Sequence, residues 1–280
     1  SFIGLVGSEM CIRDREKVTA MTGVPVMARE LIEHPDFADY DTSSMLTLGG
    51  GGAQLQPDLV AKIDKAGAAR PNTGYGMTET CGIITTVMGD FFVDKPDSAG
   101  PPLPVYDVKC VDDDGNEVQR GEVGELYVKG AQVIRGYLNR PDATAESITD
   151  GWLHTGDVAR LDEDGYIYIV DRKKDMVIRG GENIYCAEVE SAIFEHHDVA
   201  ECTVFGVPDD RLGEEVGAAV VLKDSKLLDP ADLRAHCTEL VAKHKVPRYI
   251  WVLPEKLPRN ANGKFLKREL RESLDLRDAG

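Results

Sequence analysis

Four short clusters of glycine and polar residues in this sequence have the composition of ligand-binding loops. The first is a run of four glycines at residues 49–52, followed by Ala53. Because glycine has no side chain, such a run lets a ligand approach the bare backbone closely. The run is not a dinucleotide fingerprint, since G-x-G-x-x-G beginning at Gly49 would require glycine where Gln54 stands. Taken alone, it also fits an ordinary turn.

The second cluster is Tyr75-Gly76-Met77-Thr78-Glu79. It places an aromatic face, a hydroxyl and a carboxylate in one short loop. This set suits a purine stacked on the ring, a phosphate oxygen near the hydroxyl and a hard cation at the carboxylate. A loop with a half-buried tyrosine and a solvated glutamate is the alternative interpretation.

The third cluster ends at Asp157 and is followed by Arg172, and the fourth ends at Lys264. A carboxylate can accept hydrogen bonds from both hydroxyls of a ribose, and a guanidinium can reinforce the sugar or its phosphate. Lys264 follows a glycine turn near the C-terminus, where a mobile arm could bring a positive charge into a cleft. Singly, the three residues also fit a turn, a surface ion pair and a solvated lysine.

The elements that position these clusters form an α/β pattern. Residues 44–48 read as a strand that runs into the glycines, and a helix is predicted from Pro57 to a stop at Gly67. The middle third is rich in strands and predicts a β subdomain. Later segments predict a small α+β domain, with helices near residues 187–194 and 230–243 and strands near 199–207, 216–222 and 249–253.

Charge divides the chain near Arg172. Residues 1–172 contain 15 basic and 29 acidic residues, whereas residues 173–280 contain 17 and 20. This shift predicts a domain boundary between residues 172 and 173. Residues 1–15 match neither a signal peptide nor the following pattern, and we expect them to be a non-native cloning or assembly scar.

Composition excludes several functional classes. The 280 residues are 42% hydrophobic and 29% charged, as in an ordinary globular protein, and no apolar run is long enough to span a membrane. The net charge of −17 argues against nucleic-acid binding. Six scattered cysteines suggest neither zinc nor thiol exchange, and they favour a reduced, cytoplasmic setting. His196, His197 and Cys202 are interpreted as ordinary side chains rather than metal ligands.

The four clusters occur together in a fixed order, and in this the sequence resembles the adenylate-forming (AMP-binding) superfamily. The matching motifs are YGMTE (residues 75–79), HTGD (154–157), DRKKDMVIRGGENIY (171–185) and PRNANGKFLKREL (258–270). The resemblance extends from Glu16 to about Ser273, and RGGENIY followed by EVE favours the acyl-CoA synthetases. It implies an α/β fold class: part of a large N-terminal domain, comprising an α/β body and a β subdomain (16–172), followed by a small, mobile α+β C-terminal domain (173–280).

The resemblance also implies roles for individual residues. Gly51, Gly52 and Ala53 would line the adenine pocket, Tyr75 would stack on the base, and Gly76 would also belong to the nucleotide-binding site. Thr78 would contact the α-phosphate, and Glu79 would hold Mg²⁺. Asp157 and Arg172 would bind the ribose, and Lys174 would be the hinge of the small domain. Lys264 would act in forming the acyl-adenylate, and the loop of Gly180 and Gly181 would replace it when CoA attacks. The four-glycine run is one glycine longer than the family's usual pattern, which leaves the adenine contacts open by one residue.

The function implied is activation of a carboxylic acid, expected to be a fatty acid, by ATP and its transfer to the thiol of CoA. The family's Ser/Thr/Gly-rich loop ending in Pro-Lys-Gly is not found in these 280 residues, so we expect a C-terminal half of the enzyme that is inactive alone. One alternative is an adenylation domain for an amino or aryl acid that serves a carrier protein. The other is a fragment that binds nucleotide without catalysis. The oligomeric state cannot be read from the sequence.

Overall fold

The computed structural model describes residues 16–52, 54–67, 69–223, 226–259 and 265–280. The chain forms two compact units, one that ends at Ile169 and a second at Val170–Gly280. We call them the first unit and the second unit. None of the described helices has both the length and the apolar character that crossing a membrane requires.

A small, mostly parallel sheet begins the first unit. Its strands β1 (Ala20–Gly23), β2 (Thr47–Gly50) and β3 (Arg70–Thr73) are parallel neighbours. A further strand, β6 (Val87–Met88), pairs antiparallel with β3. Parallel strands end at a common edge, so Gly23, Gly50 and Thr73 stand side by side in the register.

Three helices accompany this sheet: α1 (Pro25–Ile32), α2 (Pro57–Ala66) and α3 (Asp90–Asp94). Helix α2 begins with Pro57, whose missing N–H costs nothing in the first turn, and ends at Gly67, which takes the left-handed conformation with φ 64°. Its buried residues Leu59, Val60 and Ile63 recur at helical spacing and belong to the core between sheet and helices. This apolar stripe fixes the helix against the strands.

The rest of the first unit is antiparallel. A two-stranded ribbon, β4 (Gly76–Met77) with β5 (Gly82–Ile83), leads to a five-stranded sheet with the order β11-β10-β8-β7 and β9 paired with β10. Its members are β7 (Tyr106–Val111), β8 (Val123–Gly130), β9 (Ile148–Thr149), β10 (Trp152–Leu161) and β11 (Ile167–Arg172), and helix α4 (Pro141–Ser147) precedes β9. Strand β11 begins in the first unit and ends in the second. Leu126 and Val128 of β8 are fully buried, and they pack with Ala159 of β10 in the core of this β subdomain.

The second unit has a mixed sheet covered on both faces. Its strands are β12 (Val177–Arg179), β13 (Glu182–Ile184), β14 (Val199–Asp209), β15 (Gly213–Leu222) and β16 (Tyr249–Leu253), and its helices are α5 (Cys186–Phe194), α6 (Pro230–Leu240) and α7 (Lys267–Ser273). Successive residues of a strand point to opposite faces, so Val204 enters the cluster with α5 and α6 while Phe205 enters the cluster with α7. This two-sided burial explains the continuous apolar runs of β14 and β15.

The α/β fold class predicted from the sequence is confirmed. The helix beginning at Pro57 and the strand at Tyr249–Leu253 lie where they were predicted. The predicted strand at residues 44–48 lies instead at Thr47–Gly50, because two glycines that pattern analysis assigns to a turn complete the parallel register.

The glycines of β2 generate a stability prediction. A methyl group at Gly49 would lie 2.0 Å from the backbone oxygen of Asn72, whereas one at Gly51 would meet only the Gly74 oxygen, at 3.8 Å. We expect Gly49→Ala to destabilise the first unit by about 1–3 kcal/mol or more, as overpacking does. Gly51→Ala, the matched control, should stay within about 0.5 kcal/mol of wild type. Urea unfolding compares the two variants, and equal midpoints would contradict this account of β2.

Candidate functional site

The carboxyl edge of the parallel strands is the natural place for a ligand in this unit, because loops at this edge of an open α/β sheet form its binding crevice. Two of the predicted motifs start there. Gly51 and Gly52 follow β2, and Tyr75 follows β3. The edge is held together by the Gly51 amide, which donates to the Gly23 oxygen at 3.0 Å, and by the Thr73 hydroxyl, which donates to the Gly50 oxygen at 3.1 Å.

The four glycines divide into two pairs with different tasks. Gly49 and Gly50 are required by neighbouring strands, since an added Cβ would lie 2.0 Å from the Asn72 oxygen and 2.6 Å from the Gly23 oxygen, respectively. Gly51 and Gly52 face open space, and Gly52 also has φ +77°. Ala53 lies outside the described residues. The last two glycines therefore offer bare backbone to a ligand.

The segment after β3 is fixed by hydroxyl groups that pattern analysis did not single out. The Tyr75 amide donates to the Thr85 hydroxyl at 3.1 Å. The fully buried Thr80 hydroxyl accepts from the Met77 amide at 3.3 Å and lies 2.9 Å from the oxygens of Met77 and Gly82. These contacts hold Thr78 exposed at the start of a single 3₁₀ turn.

Glycine is needed at position 76 because the opposite strand of the ribbon leaves no room for a side chain. An added Cβ there would lie 2.2 Å from the Gly82 oxygen. The Gly76 pairing with Ile83 across β4 and β5 therefore depends on the absence of a side chain. Gly76, predicted to bind the nucleotide, therefore serves the pairing of the ribbon itself.

Tyr75 and Asp157 meet although 82 residues separate them. The Tyr75 hydroxyl donates to Asp157 Oδ2 at 2.6 Å, and Asp157 is only 8% exposed. This contact joins the loop after the parallel sheet to strand β10 of the β subdomain. Two motifs that the sequence could relate only by their order thus share one hydrogen bond.

Asp157 is aimed by an irregularity in β10. The register of β10 with β8 shifts between His154 and Val158, and Gly156 has φ +70°. The Thr155 hydroxyl donates to the Leu126 oxygen at 2.7 Å and accepts from the Asp157 amide at 3.1 Å. A bulge of this kind redirects a side chain from the alternation of a regular strand. Thr155 lies within the HTGD motif, and its positioning role was not predicted.

Glu79 has a partner that the sequence did not indicate. The Tyr137 hydroxyl donates to Glu79 Oε1 at 2.9 Å, and the Ile134 amide donates to the Glu79 oxygen at 2.8 Å. Burial raises the pKa of Tyr137, and the hydrogen bond to Glu79 and its negative charge raise it further. Tyr137 is therefore a neutral donor that orients one carboxylate oxygen of Glu79.

The remaining predicted residues belong to the second unit or lie outside the described residues. The Arg172 amide donates to Asp171 Oδ1 at 2.7 Å, and Lys174 is an exposed residue of the following turn. Gly180 and Gly181 form a two-residue hairpin turn between β12 and β13, with φ 61° and 89°. Lys264 is not among the described residues.

Arg179 beside this hairpin has a structural partner. Its guanidinium makes two hydrogen bonds to Glu215, at 2.7 and 3.1 Å, and Glu215 is 2% exposed. The hydrogen bond to Glu215 raises the pKa of Arg179. This ion pair fixes the start of the glycine turn.

One histidine cluster also lies in the second unit. His196, His197 and Asp198 have candidate ligand atoms within 4.8 Å of one another. The Lys226 ammonium pairs with Asp198 at 2.8 Å, and the Asp198 amide donates to His196 Nδ1 at 3.3 Å. Groups of the chain itself therefore occupy this cluster, and we assign no metal to it.

The contact between Tyr137 and Glu79 predicts a measurable titration. The Tyr137 phenol should ionise above the usual value of about 10, and Glu79→Gln should lower its pKa because the negative charge is removed. The difference in absorbance at ~295 nm between the chain and its Tyr137→Phe variant isolates this one phenol. An unchanged Tyr137 titration in Glu79→Gln would show that burial alone shifts this group.

Two family models match separate parts of this chain. The model of the AMP-binding enzyme family matches residues 9–138, and that of the AMP-binding enzyme C-terminal domain matches residues 188–264. Feruloyl-CoA synthase of Amycolatopsis sp is 42% identical over 95% of this chain and 54% of its own. A long-chain-fatty-acid–CoA ligase of Salmonella typhimurium is 43% identical over 91% of this chain and 45% of its own.

Solved structures show the same fold. The o-succinylbenzoate CoA synthetase of Bacillus subtilis in complex with its acyl-adenylate intermediate matches with a TM-score of 0.87 and 36% identity. The match covers 96% of this chain and 54% of that one. The same enzyme in complex with ATP and magnesium ion matches with a TM-score of 0.85 and 37% identity, over 95% of this chain and 54% of its own. The chain spans about half the length of the relatives it matches, and it belongs to the AMP-binding, adenylate-forming enzymes.

Proposed function

We propose that the protein is an AMP-forming acid–thiol ligase. In the first half-reaction a carboxylate oxygen attacks the α-phosphorus of ATP, and the bond to pyrophosphate breaks. In the second, the CoA sulfur attacks the acyl carbon, AMP leaves and the thiol proton is released. The observation that carries this proposal is the Tyr75–Asp157 hydrogen bond beside the open backbone of Gly51 and Gly52, and the relatives named as CoA ligases support it.

The nucleotide would lie along the carboxyl edge of the parallel strands. Adenine would cover Gly51 and Gly52, continuing to Ala53, with the Tyr75 ring stacked on it. A carboxylate has about four acceptor positions, so Asp157 can accept the Tyr75 hydroxyl and still bind ribose hydroxyls. The buried contact fixes the ring and the carboxylate before the ligand arrives, which reduces the ordering that binding requires.

Glu79 fits a magnesium ion by the chemistry of its donor set. Mg²⁺ prefers carboxylate oxygen and keeps several waters and phosphate oxygens as further ligands. Tyr137 holds one Glu79 oxygen in place as a neutral donor, and a carboxylate with one such donor keeps further acceptor positions for an ion. When bound, the ion would offset the negative charge of the phosphates. The exposed Thr78 hydroxyl in the same turn would donate to an α-phosphate oxygen.

Lys264 would supply positive charge where two anions must approach. The carboxylate and the α-phosphate repel each other, and an ammonium group placed between them stabilises the charge that spreads over the phosphoryl oxygens. Arg172 would support the ribose. In the second half-reaction the hairpin of Gly180 and Gly181 would border the pantetheine arm, and rotation at Lys174 would exchange the two arrangements.

The acid is proposed to be a fatty acid. Relatives are named for ferulate, long-chain fatty acids and 2-succinylbenzoate. Because these acids differ, the choice of acid has to rest on residues of this chain. Cys81, Gly82 and Ile83 are exposed after the Tyr75 loop, whereas Ile84 is fully buried in the core. An exposed apolar Ile83, paired with Gly76 across the β4–β5 ribbon, suits an acyl chain. A panel of fatty and aryl acids, assayed with CoA and with a carrier protein as acceptors, tests acid and acceptor together.

We propose that residues 16–172 act as the nucleotide-binding part and residues 173–280 as the mobile domain.

Each of the cysteines at residues 81, 110, 186, 202 and 237 is a free thiol. Free thiols suit a reducing compartment, which supports a cytoplasmic location.

Ribose recognition by Asp157 can be measured without catalysis. Asp157→Asn should weaken binding of ATP·Mg²⁺ about 10- to 100-fold, since hydrogen bonds to charged groups contribute about 1.5–3 kcal/mol. It should also reduce the preference for ATP over 2′-deoxy-ATP. Calorimetry gives both affinities, and Asp150→Asn at an exposed turn is the matched control. Equal affinity of wild type for ATP and its deoxy analogue would contradict the role of Asp157.

Lys264 should be needed in only one half-reaction. Lys264→Ala is expected to lower acyl-adenylate formation at least about 100-fold, as loss of a preorganised charge does, while thioester formation from synthetic acyl-adenylate and CoA changes little. Pyrophosphate exchange measures the first step, and thioester yield measures the second. Lys256→Ala, at an exposed lysine, serves as control. Equal losses in both steps would refute the division of labour.

A further inference from the structure

The turn between β12 and β13 is the part of the second unit that the proposed function brings to CoA. Its two residues, Gly180 and Gly181, have φ values of 61° and 89°, which glycine adopts without strain. Apart from its chain neighbours, no atom that the structure describes would lie within 4 Å of a Cβ added at Gly181. The Gly180 amide, in contrast, donates to the Leu212 oxygen at 2.8 Å. The turn thus has one open residue and one held residue.

Two consecutive glutamates at the start of β15 hold the two residues that lead into this turn. Glu214 Oε2 accepts from the Ile178 amide at 3.0 Å. Both oxygens of Glu215 accept from the Arg179 guanidinium, at 2.7 and 3.1 Å. Strands β12 and β15 also pair in register at Arg179 and Gly213. The base of the turn is therefore tied to β15 by backbone and by two side chains.

The Glu215 carboxylate is buried and charged. The residue is 2% exposed, and its Oε1 also accepts from Arg248 Nη1 at 3.2 Å. Burial acts to raise the pKa of Glu215, but the hydrogen bonds and positive charges of Arg179 and Arg248 outweigh this effect and lower the pKa. A buried carboxylate requires such partners, and a guanidinium that donates twice also fixes the orientation of the pair. The Arg179 side chain is therefore held in one arrangement.

Glu214 adds a second support at the neighbouring residue of β12. Its side chain is 23% exposed, and its Oε1 accepts from Arg271 Nη2 of α7 at 3.2 Å. A Cβ added at Gly206 of β14 would lie 2.5 Å from the Glu214 carboxyl carbon, so glycine at this position leaves room for the carboxylate. The Ile178 amide is thus held by a group that β14 and α7 hold in turn.

We infer that Arg179 and Glu215 are positioning residues for the second half-reaction, in which the CoA sulfur bonds to the acyl carbon and AMP leaves. The inference rests on the function proposed above, in which Gly180 and Gly181 border the pantetheine arm. Arg179 directly precedes Gly180, so its pairing with Glu215 sets where the turn begins. Misplacement of a reacting group by about 1 Å can cost about 100-fold in rate. The ion pair should therefore affect thioester formation and spare acyl-adenylate formation, in which the turn has no proposed role.

The first measurement removes Arg179, because Glu215 then keeps Arg248 as a partner and is not left as an unpaired buried charge. Arg179→Gln, in the whole protein that contains this chain, should lower kcat for thioester formation from synthetic acyl-adenylate and CoA at least about tenfold. Acyl-adenylate formation, measured by pyrophosphate exchange, should change less than about twofold. Equal losses in both half-reactions, or full thioester activity in Arg179→Gln, would overturn the inference.

Arg268→Gln is the matched control for this measurement. The Arg268 pair with Glu272 has side chains that are 89% and 64% exposed, and exposed ion pairs contribute little. The control should match wild type in both half-reactions. A loss of thioester formation in Arg268→Gln as large as that in Arg179→Gln would show that removal of any arginine of this unit has the same effect, which contradicts the inference.

A double-mutant cycle tests whether the pair acts as a unit. Glu215→Gln and the double variant should lose about as much thioester activity as Arg179→Gln alone, because the second change removes a contact that the first has already broken. Arg179→Lys keeps the charge but not the paired donors, and its rate should lie between those of Arg179→Gln and wild type. Multiplied losses in the double variant, or a lysine variant no better than the glutamine variant, would contradict the inference.

Amide hydrogen exchange separates a local shift from a loss of folding. Peptides covering residues 177–184 should exchange at least about fivefold faster in Arg179→Gln, whereas peptides covering α5 and α6 should not change. Unchanged exchange at residues 177–184, or faster exchange throughout the second unit, would each refute a positioning role. If Glu215→Gln fails to fold, Arg179→Gln and Arg179→Lys still supply the comparison. Absence of acyl-adenylate formation in the wild type would instead refute the proposed function.

Discussion

The hydrogen bond between Tyr75 and Asp157 is the contact on which the candidate site depends. It is made by a buried carboxylate, for which a partner is obligatory, because an unpaired charge away from water is costly. The bond is also the meeting point of two structural layers, the loop after a parallel strand and a bulged antiparallel strand. Thr85 fixes the loop and Thr155 fixes the bulge. The order of the site therefore depends on these two backbone segments, each of which is held by a threonine hydroxyl.

Glycine serves two opposite purposes around this contact. At Gly49, Gly50 and Gly76 the absence of a side chain lets neighbouring backbones pack against each other. At Gly51 and Gly52 it leaves the backbone open to a ligand. Close packing next to open backbone is how a rigid surface can be presented to a flat ligand. Recognition of a purine by such a surface depends on shape and stacking, so it is compatible with the diverse acids named among the relatives.

The second unit uses carboxylates differently. The side chains of Glu190, Glu201 and Glu215 are each largely buried. They pair with Lys267, Arg259 and Arg179, respectively. A buried ion pair contributes little net stability compared with apolar packing, but it is specific about which groups meet. Such pairs suit a domain whose turns must be presented in a defined orientation.

The sequence by itself determined the identity of the motifs, their order and the elements with strong local signals, such as the helix between Pro57 and Gly67. These features depend on local backbone chemistry, and they sufficed for the α/β class and the family. Tertiary structure alone decided which glycines are open, that Tyr75 bonds to Asp157, and that Tyr137 orients Glu79. None of these is local: a hydroxyl at residue 137 carries no sign of the carboxylate at residue 79 until the chain folds and burial makes each polar group find a partner.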